Sequence, residues 1–122
     1  MILLIFLHLR KRRKTRVEKN KLFEEIRGIR RIAICRTHGG FGLSDLAQDR
    51  YKELAGITDP NWYDRDVSRD DPYLIKVINE LGEKANNRFC TLKIVEIPAD
   101  VDWYIEEYDG LEWVAEKHRT WE

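Results

Sequence analysis

The sequence predicts an α+β fold: a small mixed or antiparallel sheet of about four strands with two helices packed on one face, preceded by a basic N-terminal helical arm. Three observations carry that reading. Helix-start signals stand at Thr15, Ser44 and Asp71-Pro72, each followed by apolar residues three and four apart. Segments in which apolar and polar residues alternate fill the C-terminal third. Between the last two of these lies Asp109-Gly110, a dipeptide that accepts the positive φ values of a tight hairpin turn.

Taken in order, Thr15-Arg16-Val17-Glu18 has the form of a capping box, so a helix is expected over 15–27, with Gly28 as its stop. RIAICR (31–36) reads as a short, largely buried strand. A glycine-rich turn, Thr37-His38-Gly39-Gly40-Phe41-Gly42-Leu43, leads to Ser44, the cap of a helix that turns Leu46, Ala47, Tyr51, Leu54 and Ala55 inward and stops at Gly56. Residues 57–70 show no period, and a stretch of that length without structure points to a functional or mobile loop. Asp71-Pro72 then opens the most amphipathic helix, with Leu74, Ile75, Ile78, Leu81 and Ala85 on one face. Gly82, inside that pattern, is expected to allow close packing against a neighbour. TLKIVEIP (91–98), WYIEEY (103–108) and residues 112–119 complete the strands.

With 122 residues, 43 % hydrophobic and 36 % charged, the chain suits one globular domain plus an extension and is neither disordered nor collagen-like. The zero net charge hides a split. Up to Arg31 there are 11 basic and 3 acidic residues, a net of +8, whereas from Ile32 onward 11 basic residues face 19 acidic ones, a net of −8. The expected division is therefore a basic extension with a short helix (1–30) and an α+β domain (31–122). The arm's cluster Arg10-Lys11-Arg12-Arg13-Lys14 makes contact with nucleic acid possible through phosphate attraction. It lacks the interleaved aromatics that would stack on bases.

The apolar run Met1–Leu9 is too short to cross a bilayer, and its cationic residues follow rather than precede it, unlike a secretory signal. No membrane span and no secretion are expected. Cys35 and Cys90 are too few for a disulfide scaffold and lack metal spacing. Neither a metal site nor a cofactor is expected.

Strand, glycine-rich loop and helix N-terminus form an arrangement whose backbone amides can hold an anion. Arg36, His38, Gly39, Gly40, Gly42 and Ser44 are the candidate residues for that role. No Gly-Lys-Ser/Thr closes a phosphate loop, the third glycine of a dinucleotide fingerprint is missing, and Asp45 opposes an anion. The alternative is that the glycines let the chain turn sharply and seat Phe41 in the core. Cys35 and His38, three apart, are conceivable as nucleophile and base, yet no third orienting group accompanies them and no catalytic residue is assigned. Trp62, Tyr63, Arg65 and Arg69 in the 57–70 loop, with His118, Arg119 and Trp121 near the C-terminus, are candidates for contact with a protein partner or a second copy, since exposed aromatic and Arg residues anchor interfaces.

From about Arg31 to Trp121 the chain resembles a family of short, uncharacterised proteins of tailed phages and large viruses. The resemblance lies in Gly39-Gly40-Phe41-Gly42-Leu43-Ser44, Asp71-Pro72, Leu81-Gly82, Val95-Glu96-Ile97-Pro98, Tyr108-Asp109-Gly110, Trp113-Val114-Ala115-Glu116 and His118-Arg119-Thr120-Trp121. It implies a small viral or virus-derived protein with an accessory or virion-associated role, located in the host cytoplasm or the virion, and it supplies no activity. The expected function is a non-enzymatic binding or interaction module. The alternative is a protein that binds an anion or nucleotide, or hydrolyses one, through the glycine-rich turn.

Overall fold

The structure, a computed structural model, describes residues 13–118 and 121. Among the described residues, three helices and four antiparallel strands form a small α+β domain. Helix α1 (Arg16–Ile26) starts where the cap signal stands: the Thr15 hydroxyl accepts from the Glu18 amide at 3.2 Å. It is docked onto the body by Tyr73, whose hydroxyl donates to Glu18 at 3.1 Å and lies 2.8 Å from Thr15 Oγ1. Strand β1 (Ile29–Cys35) begins two residues earlier than its sequence pattern suggests, so the expected boundary at 30/31 falls inside it.

Helix α2 (Asp45–Ala55) is capped by Ser44, which accepts from the Ala47 amide at 3.1 Å, and ends on left-handed Gly56. It buries Ala47 and Tyr51. Leu46, expected inward, is exposed, because it precedes the buried Ala47–Tyr51 stripe by one position and so points away from it. The 57–70 segment has more order than its aperiodic sequence implies. Trp62 stacks on Tyr51 with centroids 5.3 Å apart, Asp64–Asp66 forms a single 3₁₀ turn, and Val67 is buried.

Helix α3 (Pro72–Leu81) is capped by Asp71, which accepts from the Tyr73 and Leu74 amides at 2.8 and 3.2 Å. The same carboxylate accepts from the Tyr51 hydroxyl at 2.9 Å, joining α2 to the start of α3. Burial, then the charge of Asp71, pushes the Tyr51 hydroxyl's pKa well up. Gly82 does not sit inside the helix. It ends it, at φ 57° and ψ −129°, and a 3₁₀ turn over Gly82–Ala85 follows. A Cβ there would meet open space, so the glycine serves the turn and not close packing.

Strand β2 (Leu92–Pro98) pairs antiparallel with β1 from Ile29↔Pro98 to Cys35↔Leu92. Strands β3 (Trp103–Tyr108) and β4 (Leu111–Glu116) form a hairpin, with Asp109 at φ 50° and Gly110 at φ 87° as a two-residue turn with both central φ positive. The sheet is therefore not continuous but two ladders of two strands. The reason lies at β1's outer edge, where the Ala33 amide donates to the Arg69 carbonyl at 2.8 Å and the Cys35 amide to Glu112 Oε1 at 2.7 Å. A loop carbonyl and a carboxylate stand where a third strand's backbone would pair. Both helices α2 and α3 contribute to one core that also takes Ala33, Leu43 and Ala85, with Leu92 and Ile94 packed against it.

Gly110 does more than turn the hairpin. A Cβ on it would overlap Gly40 N and the His38 carbonyl, so the hairpin tip rests on the glycine-rich turn. Gly28 has nearly the same φ, 86°, with open space around it. Replacing Gly28 by Ala is expected to cost about 1 kcal/mol in urea unfolding, the strain of the left-handed backbone alone. Gly110→Ala is expected to cost about 3 kcal/mol, strain plus overlap. Equal losses in the two variants would contradict the packing of the tip on the turn.

Candidate functional site

The glycine-rich turn is the place where separate parts of the chain meet. Thr37 Oγ1 donates to the Phe89 carbonyl at 2.7 Å and accepts from the Thr91 amide at 3.2 Å. A Cβ on Gly39 would overlap the Phe89 carbonyl, and one on Gly42 would overlap the Asn87 amide group, so the 86–91 segment lies flush against the turn. From the 57–70 segment, Asp64 Oδ2 accepts from the Leu43 amide at 2.9 Å. From the hairpin, Gly110 closes over His38 and Gly40, and the His38 ring meets Tyr108 edge-on with centroids 6.5 Å apart.

Each of these three segments brings an exposed ring. Tyr63, Phe89 and Tyr108 are 57 %, 61 % and 71 % exposed. Arg65 lies over Tyr63 at 5.0 Å, Arg88 over Phe89 at 5.6 Å, and His38 against Tyr108. Beneath them the 86–91 segment is held by its own side chains: Asn87 Oδ1 accepts from the Phe89 and Cys90 amides at 2.8 and 2.7 Å, and Asn86 Oδ1 from Leu92 at 2.8 Å. A groove of about 460 Å³ runs beside this loop, lined by Leu43, Ser44, Gln48, Asn87 and Phe89 among others.

Under the turn lies a largely buried ion pair. Glu112, 6 % exposed, accepts from Arg69 Nη1 at 2.6 Å and from Nη2 at 2.8 Å. The Phe41 ring covers that guanidinium at 3.6 Å, and Arg36 Nη1 donates to the Glu112 carbonyl at 3.0 Å.

The candidate residues therefore fall into different surroundings. Arg36, His38, Gly39, Gly40, Gly42 and Ser44 do share one turn. Much of their hydrogen-bonding capacity is used internally: Leu43's amide by Asp64, Arg36 by Glu112, and the Ser44 hydroxyl by Ala47 and by the Lys84 carbonyl at 2.6 Å. Tyr63 and Arg65 stand beside this turn through Asp64. Trp62 is turned away onto Tyr51, and Arg69 points inward to Glu112. His118 and Trp121 are exposed, while Arg119 and the Arg10–Arg12 part of the basic cluster lie outside the described residues. Glu112, Asp64, Asn87 and Phe89 are structural partners that the sequence pattern did not single out. The partners of the Glu112 and Asp64 side chains and of the Phe89 carbonyl lie 21 or more residues away, which no spacing rule reports, whereas Asn87 acts on amides two and three residues ahead, a local Asx pattern.

Cys35 and His38 are not matched as nucleophile and base. Cys35 is fully buried and donates its thiol to the Thr37 carbonyl at 3.3 Å, whereas His38 is exposed against Tyr108. Burial, then the neighbouring Cys35 thiol, pushes the Cys90 pKa up, which keeps it in the unreactive protonated form. Among the described residues no group of three or more His, Cys, Asp or Glu is placed to hold a metal ion, and no helix is long and apolar enough to cross a membrane. The larger cavity, about 580 Å³ between α1, β1 and α3, is lined by both signs of charge and crossed by Lys21–Asp70 at 3.3 Å and Arg31–Glu24 at 3.4 Å. The chain matches no family model, no curated protein and no solved structure.

The two thiols give a direct check. The Cys90 pKa is raised to about 12 in the folded state. Its contribution to stability is thus fully present below the ordinary thiol value and is lost as pH rises from about 9 to about 12. Native protein at about pH 8 is expected to leave both cysteines untouched by a disulfide reagent that modifies both in denaturant. Rapid modification of the native protein would contradict the burial.

Proposed function

We propose that the protein is a non-enzymatic binding module that meets its partner with the end built around the glycine-rich turn. The observation that carries this reading is the meeting of three segments at one internally braced turn, each bearing an exposed ring, Tyr63, Phe89 or Tyr108. Rings held out in water on a rigid support cost little further ordering on association, and aromatic side chains flanked by Arg are what interface anchors are made of. The resemblance to proteins of tailed phages and large viruses supports an accessory or virion-associated setting, with a host or virion protein, or a second copy, as the partner. On this reading the protein works in the host cytoplasm or the virion.

The alternative, capture of an anion or nucleotide at the same turn with Arg36, His38 and Ser44, differs in its readout. A ligand of that kind raises the melting temperature by mass action on the folded state. Under the proposal, a panel of nucleotides and phosphates leaves the melting temperature unchanged. A triple variant, Tyr63→Ser/Phe89→Ser/Tyr108→Ser, melts within a few degrees of the parent, because all three rings are exposed. That variant is expected to lose a protein partner that the parent retains in a fixed molar ratio on affinity capture. Retention of the partner by the triple variant, or a rise in melting temperature with a nucleotide or phosphate, would count against the proposal.

A further inference from the structure

Helix α1 has its amphipathic character turned inside out. Its three acids, with Val17 and Lys21, lie on the half-buried side that faces the body. There Glu18 accepts from Tyr73, Glu24 meets Arg31 at 3.4 Å and Glu25 meets Lys21 at 3.9 Å. The exposed side holds Lys19, Leu22, Phe23 and Ile26, continued by the C-cap Arg27, and has no acidic residue on it, while Arg16 and Asn20, also exposed, border the cavity between the helix and the body. Leu22, Phe23 and Ile26 are 41 %, 61 % and 75 % exposed. A surface helix ordinarily presents the opposite arrangement, apolar residues inward and charges of both signs outward.

The residues around this face extend its character. Arg13 and Lys14, just before the helix, are exposed. The Arg27 guanidinium lies over the Phe23 ring at 5.2 Å, so its charge sits at the rim of the apolar patch. From Ile32 onward the chain carries a net −8. An anionic surface would attract this face and repel the rest of the molecule.

We infer that α1 lies flat on an anionic phospholipid surface, with Leu22, Phe23 and Ile26 inserted at the boundary of headgroups and acyl chains and the cations on the lipid headgroups. The apolar residues decide between lipid and nucleic acid. Phosphate contact with RNA would use the cations but leave Leu22 and Ile26 in water, whereas an interfacial helix uses both sets. The cations supply the preference for anionic lipid, and the apolar patch supplies contact that salt does not screen. This reading is independent of the aromatic end, which involves none of the same residues.

The test uses the full chain in vesicle co-sedimentation, with phosphatidylcholine alone and with about 30 % phosphatidylserine added. The parent is expected to bind the anionic vesicles at least about tenfold more tightly than the neutral ones. Phe23→Ser/Ile26→Ser is expected to weaken binding to anionic vesicles about tenfold with an unchanged melting temperature, since both side chains project into solvent. Three results would each overturn the assignment: equal binding of parent and double variant to anionic vesicles, retention on single-stranded RNA without any on vesicles, or a dimer in light scattering that the double variant dissolves.

Discussion

The ion pair between Arg69 and Glu112 is the constraint on which the arrangement of the whole domain depends. Placing a carboxylate at 6 % exposure is costly unless every lone pair finds a donor. Here Glu112 takes two bonds from Arg69 and one from the Cys35 amide. Arg69 in turn places its carbonyl on the Ala33 amide and its guanidinium under the Phe41 ring. A lysine would not serve, because the pairing is bidentate and the stacking needs a planar group. One pair thus links the 57–70 segment, both ladders and the glycine-rich turn, and it explains why β1 and β4 lie side by side without a backbone ladder between them.

That constraint reaches the surface through the turn. Phe41 is held on the Arg69 guanidinium, Leu43's amide on Asp64, and Gly110 on His38 and Gly40, so the backbone between 37 and 43 is fixed from below and from both sides. Tyr63, Phe89 and Tyr108 are exposed on the segments that brace it. At the far end, α1 is joined to the body by polar contacts to Tyr73, Arg31 and Asp70, and none of its residues is fully buried. The domain has a braced end and a lightly held one, and the two differ in chemistry: aromatic rings at the first, cations and aliphatics at the second.

Much of this framework is legible in the sequence because it is local. Thr15, Ser44 and Asp71 act on amides two or three residues ahead, and Asp109-Gly110 supplies positive φ to its own turn. The failures are of another kind. Gly82 in an amphipathic run reads as a packing residue when its backbone in fact ends the helix, since composition does not distinguish a glycine needed for space from one needed for φ. Leu46 reads as core because it is apolar beside an apolar stripe. Above all, Glu112 reads as an ordinary strand polar residue. Its partner is 43 positions away, so neither its burial nor the split of the sheet is visible until the fold brings Arg69 to it.

A double-mutant cycle in urea on Arg69→Met, Glu112→Gln and the pair tests this account most directly. Each single change is expected to cost about 2–4 kcal/mol, because it strands a mostly buried charge whose partner retains some exposure. The double variant is expected to cost at least about 1 kcal/mol less than the sum of the two, because neither charge is then left unpaired. Single losses below about 0.5 kcal/mol, or strict additivity, would show that the two ladders and the glycine-rich turn are held together by something other than this pair.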